Sequence, residues 1–153
     1  MDASLSLDSP LSDTVAPRLG YMLRRASAVM MAGLGAALAD MALRPVEGTI
    51  LILVGENPGC IQSDIGRTLG IKRANMAPLV AGLAARGLLS KTPVDGRSLA
   101  LTLTSEGDAA RRQVESIMDA HEARFEALLN ETDMAALRDA LRIIAQQGES
   151  APD

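Results

Sequence analysis

Aromatic and sulfhydryl side chains are nearly missing from this chain: 153 residues hold one Phe, one Tyr, no Trp and one Cys. With Cys60 alone, neither an intramolecular disulfide framework nor a multi-cysteine metal site can form, and a reducing compartment is expected. The poverty in aromatics leaves the core to Leu, Ala, Val, Ile and eight Met, a supply that favours helices packed on helices over a large sheet. No run is long enough for a membrane. The longest uncharged stretch, residues 26–39, has 14 residues and two glycines, short of the roughly 20 that a span needs, and is expected to be a buried helix. Residues 1–13 carry no basic segment followed by an apolar run, so no secretory signal is expected there and a cytoplasmic location is.

Catalytic equipment is equally sparse. The single histidine, His121, falls on an apolar helix stripe with no Cys or second His nearby, so neither a zinc site nor a Ser-His-Asp triad can be assembled around it. A glycine-rich phosphate loop is also missing. Cys60 follows Pro58-Gly59 with no adjacent Lys, Arg or His to lower its pKa, as an inert thiol would. Neither an enzyme nor a cofactor is therefore expected.

What the chain does have is a segregation of charge. The net charge is −4, the wrong sign for a partner made of phosphate. Between Gln62 and Thr104, however, Arg67, Lys72, Arg73, Arg86, Lys91 and Arg97 face only Asp64 and Asp95. That segment carries +4 and leaves −8 to the remainder, a division suited to one basic face on an otherwise acidic, soluble body.

Periodicity orders the elements. Apolar residues recur at helical spacing from Val15 to Leu43, which predicts a long first helix. Pro45 can open a second, running to Glu56 before Asn57-Pro58-Gly59, although Ile50 to Val54 would also suit a buried strand. Two short helices follow, Gln62 to Leu69 and Arg73 to Arg86, with Gly70-Ile71 between them and Gly87 as a stop. Ile65 and Leu69 on one, and Met76, Leu79, Val80 and Leu83 on the other, supply facing apolar sides, the pattern of a helix-turn-helix. Leu88 to Lys91 and Ser98 to Leu103 then read as strands around a Pro-Val-Asp-Gly turn, a hairpin wing. Thr104 can cap a fifth helix and Thr132 a sixth. The fold expected is mostly α (α+β), in the order ααααββαα: a winged unit over 44–104, and a helical region over 13–43 and 105–147 whose apolar stripes call for a second copy. Residues 1–12 and 148–153 are expected to be disordered.

One stretch is more specific than any of these patterns. Asp95-Gly-Arg97-Ser-Leu-Ala-Leu101-Thr-Leu103-Thr104-Ser-Glu-Gly107 resembles the wing and exit signature of the MarR family of winged helix-turn-helix regulators: Asp-x-Arg, an apolar strand, then Leu-Thr-x-x-Gly. Upstream, Leu69-Gly70-Ile71 and Leu83-Ala-Ala-Arg86-Gly87-Leu88-Leu89 fall in the same register. The resemblance covers about Val15 to Ala145 and implies a homodimeric bacterial transcriptional regulator, expected to act as a repressor on a pseudo-palindromic double-stranded operator at the nucleoid and to be released by a small-molecule effector.

Groove chemistry nominates the contacts. The major groove admits one helix, whose N-terminal end must offer donors. Arg73 and Asn75 stand there for base edges and Lys72 for phosphate, with Arg67 and Met76 alongside. On the hairpin, Arg97 suits the minor groove and Lys91 the backbone, with Ser98 beside them; the resemblance implies that Asp95 holds Arg97 in place, although the two would also suit a surface ion pair in a turn. Two departures from the family pattern concern the helix itself: Lys72 stands where a Ser or Thr cap is common, and Pro78 lies in the interior, where proline removes a hydrogen bond. The family's effectors include aromatic acids, phenolic compounds and related thioesters, held where the dimerisation helices meet the winged unit. Arg18, Tyr21, Met22, Arg25, Met30 and His121 are the candidates near that junction. The alternative is a winged-helix protein-interaction module without DNA binding.

Overall fold

The computed structural model describes residues 11–148; the disorder expected of 1–10 and 149–153 falls outside them. The first helix, α1 (Leu19–Ala37), is shorter than its periodicity predicts. Pro17 lies just before its start, Pro45 holds Arg44 extended (φ −82°, ψ 155°), and the chain breaks ahead of that residue. It does so through a 3-10 turn, Ala39–Met41, and the left-handed Ala42. Helix α2 (Pro45–Glu56) starts with its proline at the first position, and the Glu47 carboxylate accepts from the Arg44 backbone N–H at 2.8 Å. The open choice between helix and strand for Ile50 to Val54 is settled as helix.

A two-residue strand that the sequence pattern did not disclose, β1 (Cys60–Ile61), leads into α3 (Gln62–Leu69). Gly70 at φ 64° turns the chain, with Ile71 N–H reaching back to the Gly66 carbonyl, and α4 (Arg73–Ala85) follows. It ends in a Schellman motif: Gly87 N–H bonds Ala84 O, and Leu88 N–H bonds Leu83 O. Strands β2 (Leu89–Pro93) and β3 (Leu99–Leu103) pair antiparallel. Because β1 joins the other side of β3, with Cys60 opposite Leu101, the sheet has three strands in the order β1-β3-β2 rather than the two of the expected hairpin.

Thr104 caps α5 (Ser105–Leu128), its Oγ1 accepting from Gly107 N–H at 3.0 Å. Gly107 is where backbone meets backbone: a Cβ there would lie 1.9 Å from the Leu88 carbonyl oxygen. The last helix, α6 (Met134–Gln146), is capped by Asp133, which accepts from Ala136 N–H, and not by the expected Thr132. The cap shifts by one residue because Asp133 directly precedes the first helical residue.

The core forms around α2. Ile50, Leu51 and Val54 are fully buried, together with Leu38, Leu83 of α4, Leu101 of β3 and Val114 of α5. That packing joins α2 to both α5 and the sheet. Arg111 of α5 adds a polar tie: its guanidinium bonds Asp108 and Glu115 and lies 3.8 Å from Glu56 at the end of α2. In contrast, α6 contains no buried residue, although Leu137, Leu141 and Ile144 recur on one side of it.

Candidate nucleic-acid interface

The winged unit presents an open cleft of about 490 Å³ between the start of α4 and the hairpin tip. Gln62, Ser63 and Arg67 of α3, Arg73 of α4, and Arg97 and Ser98 of the wing line it. Residues thirty positions apart in sequence thus share one concave surface. Arg73, Asn75 and Arg97 are all exposed.

Local backbone chemistry explains how each is presented. Lys72 is the N-cap of α4 and makes no side-chain cap hydrogen bond, while Asn75 and Met76 N–H groups bond back to its carbonyl. The N–H groups of Arg73 and Ala74 precede the first intrahelical bonds and face the positive end of the helix dipole, an arrangement suited to an anion. Pro78 lies inside α4, yet the helix runs unbroken from Arg73 to Ala85. At the wing, the Asp95 carboxylate accepts from the backbone N–H of both Arg97 and Ser98 at 2.8 Å. Those two bonds, Arg97's first, hold its pKa below the usual carboxylate value. Asp95 therefore shapes the tip through the backbone, whereas the sequence suggested either a grip on the Arg97 side chain or a surface ion pair with it. Val94 N–H closes the turn on Ser98 O at 3.0 Å.

Several expected residues have other work. Met76 is 1% exposed and packs in the core with Val80 and Leu83, so it lines the floor of the cleft from the inner stripe of α4 with almost no surface of its own. The Arg67 guanidinium is paired with Asp64 on its own helix. Arg86, which contributed to the basic count, donates to the carbonyls of Met41 and Ala42 at 2.8 Å each. Lys91 is exposed on β2, at the edge of the sheet and outside the cleft lining, where a lysine also discourages edge-to-edge pairing. Of the six cations in the segment, Lys72, Arg73, Lys91 and Arg97 have no such partner, and Arg73 and Arg97 are the two of these that line the cleft.

A second cavity, about 460 Å³, lies between α1, the end of α5 and α6. Arg25 and Met30 line it, as the sequence suggested, with Phe125, Leu129, Leu137 and Leu141 supplying apolar walls that sequence reasoning missed. Arg18, Tyr21 and Met22 do not line it. Arg18 sits at the N-cap of α1, and Tyr21 and Met22 are exposed on that helix. Arg25 pairs with Asp13 at 3.3 Å. His121 also departs from expectation: it is buried between α1 and α5, its Nε2–H donates to Met30 O at 2.9 Å, and its ring meets Phe125 edge to face. It is a satisfied packing residue. Cys60 is half-buried in β1, where burial, with Asp64's charge adding to it, pushes the thiol up and away from the reactive thiolate.

Known proteins share this architecture. A profile described as MarR family matches residues 43–98. The chain is 30% identical over 113 residues to the HTH-type transcriptional repressor Rv2887 of Mycobacterium tuberculosis, covering 72% of this chain and 81% of that one. Among solved structures, it resembles the transcriptional repressor CouR bound to a 23-mer DNA duplex, with a TM-score of 0.82 and 34% identity over 90% of this chain and 99% of that one. It is also similar to CouR bound to p-coumaroyl-CoA, with a TM-score of 0.81 and 30% identity over 90% and 98% of the two chains.

Proposed function

Because the chain belongs to the MarR family, we propose that it works as a homodimeric transcriptional repressor that reads a pseudo-palindromic duplex and lets go of it when a small molecule binds. The observation that carries this reading is the shared cleft: the open end of α4 and the tip of the wing offer Arg73 and Arg97 to one ligand surface. With α4 in the major groove, Arg73 pairs with guanine, Asn75 with adenine, and Lys72 and the free N–H groups with phosphate. The wing then lays Arg97 along the minor groove, with Asp95 fixing the tip from behind. No catalytic step belongs to this function, and the cytoplasm, at the nucleoid, is its place of action.

Dimerisation is supported by apolar surface left open on the outer helices. Leu128, Ile143, Ile144 and Leu141, with Leu19, Met22 and Val29 of α1, are 41 to 73% exposed, more than isolated surface hydrophobics explain. Residues 13–43 and 105–147 form the region that a second copy covers, and 44–104 the part that meets DNA. The effector is an aromatic acid, phenolic compound or related thioester seated in the cavity between α1, α5 and α6, its apolar body against Phe125 and Leu137 and its acid group toward Arg25.

Selection of bound fragments from random duplex DNA tests the function. An inverted repeat with half-site centres about one helical turn apart is expected. A winged-helix module that contacts only proteins would enrich no motif, and that result would overturn the proposal.

A further inference from the structure

At the far end of α4 from the proposed DNA contacts lies a contact that the function has not used. Arg86, the C-cap of α4, reaches across more than forty residues of sequence, and Nη1 and Nη2 donate to the carbonyls of Ala42 and Met41 at 2.8 Å each. Its acceptors belong to the break between α1 and α2. There Ala42 has φ 50° and ψ 38°, the only non-glycine residue with positive φ among those described, a conformation unfavourable for any residue with a Cβ. The same joint is braced from α2, where burial pushes the Glu47 carboxyl up but the Arg44 backbone N–H and guanidinium, with the charge of Arg86 beyond them, bring it below its usual value. One planar fork therefore bolts the end of the recognition helix to a strained turn that is continuous with the outer helix α1.

From this we infer that Arg86 and Ala42 form the joint that sets the tilt of α4, and through it the half-site spacing that the dimer accepts. The inference rests on the DNA-binding function proposed above, and it makes Arg86 a positioning residue, remote from the DNA. Leverage supplies the sensitivity. From Arg86 to Arg73 the helix is roughly 20 Å long at 1.5 Å per residue, so a tilt of about 5° at the joint displaces Arg73 by about 1.7 Å. Opposite tilts in two protomers sum to about 3.4 Å, one base-pair step. A small rotation at this turn is thus enough to change which spacing fits. Because Met41 and Ala42 follow directly from α1, a change in the attitude of α1 reaches α4 through the same two hydrogen bonds.

The test uses full-length protein and the duplex motif recovered from random DNA, rebuilt with one base pair added or removed between its halves. The readout is the ratio of affinities for native and altered spacing. For the wild type a ratio of about 100 is expected, the loss of base contacts in one half-site. Arg86→Met is expected to bring that ratio below about 10, Arg86→Lys to fall between because one ammonium serves two carbonyls poorly, and Ala42→Gly to lower it while leaving the acceptors in place. A loss of folded protein lowers both affinities together and leaves the ratio untouched, so a merely structural role for Arg86 gives a constant ratio. If the ratio stays at the wild-type value in Arg86→Lys and Ala42→Gly, the joint does not set the spacing. A wild-type chain that recovers no motif overturns the proposed function and this inference with it; a motif whose spacing penalty is indifferent to residues 42 and 86 overturns only the inference.

Discussion

The salt dependence of DNA binding can be worked from the structure. Each phosphate neutralised contributes about 0.9 to the slope of log affinity against log salt. The basic segment has six cations, and counting all of them in both protomers gives twelve contacts and a slope of about −11. The structure reduces that number, since Arg67 is paired with Asp64, Arg86 is bound to two carbonyls, and Lys91 stands on the edge strand β2 opposite Leu101, short of the wing tip. Lys72, Arg73 and Arg97 remain, six cations per dimer that displace counterions whether they meet a phosphate or enter a groove, for a slope of about −5 and an affinity loss of about 10³ between 50 and 200 mM salt. Arg97→Ala removes two contacts, which flattens the slope to about −3.6 and reduces the loss over the same range to about 150-fold. The Arg86→Met variant should keep the wild-type slope. Fluorescence anisotropy on the selected duplex measures all three. A wild-type slope near −11, or an Arg97→Ala slope equal to the wild type, would refute the assignment of free and engaged cations.

Other perturbations have equally definite outcomes. Gly107→Ala places a methyl 1.9 Å from the Leu88 carbonyl oxygen and should cost about 2 kcal/mol or more, seen by circular dichroism as a Tm lower by about 4–8 °C; Gly82→Ala, with open space around it, should gain about 0.5–1 kcal/mol. An unchanged Tm for Gly107→Ala would mean that α5 does not pack against Leu88 as described. The Asp108 carboxyl is held below its usual value by its hydrogen bond to Arg111, with burial opposing and Arg112 assisting. A lowered folded-state pKa contributes stability above the unfolded value near 3.8 that is lost as the pH falls through the folded one. Asp108→Asn should therefore flatten the decline in Tm below about pH 4, and a decline as steep as the wild type's would contradict the Arg111 tie. Ile144→Glu, on the open side of α6, should shift the protein to a monomer in sedimentation velocity; a dimer of undiminished stability would place the interface elsewhere.

Sequence pattern and structure agree where chemistry is local and part where it is not. Gly70 and Gly87 declare their turns because left-handed backbone favours glycine, and Thr104 declares the start of α5. The run from Ile50 to Val54 is ambiguous in sequence because all five residues are apolar; the helical period lies in their burial, Ile50, Leu51 and Val54 being buried and Ile52 and Leu53 only half-buried. Strand β1 left no signal, since two residues have no period and Cys60 and Ile61 are extended only because β3 lies alongside. Met76 is legible from its stripe with Val80 and Leu83, which puts it on the inner side of α4; only its nearness to Arg73 in sequence also nominates it for the groove. Arg86 counts as surface charge in the sequence because its acceptors lie 44 and 45 residues upstream. The walls of the second cavity depend on how α6 folds back toward α1, a tertiary relation that no single helix encodes.

Operator binding by this protein requires that α4 and the wing take one duplex between them. Hydrogen–deuterium exchange with and without the selected duplex tests it directly. Protection is predicted in peptides spanning residues 62–77 and 94–99, and it should vanish in an Arg73→Ala, Arg97→Ala double variant that remains folded. Protection confined to α1, α5 or α6, with the α3–α4 turn and the wing exchanging as in the free protein, would contradict it.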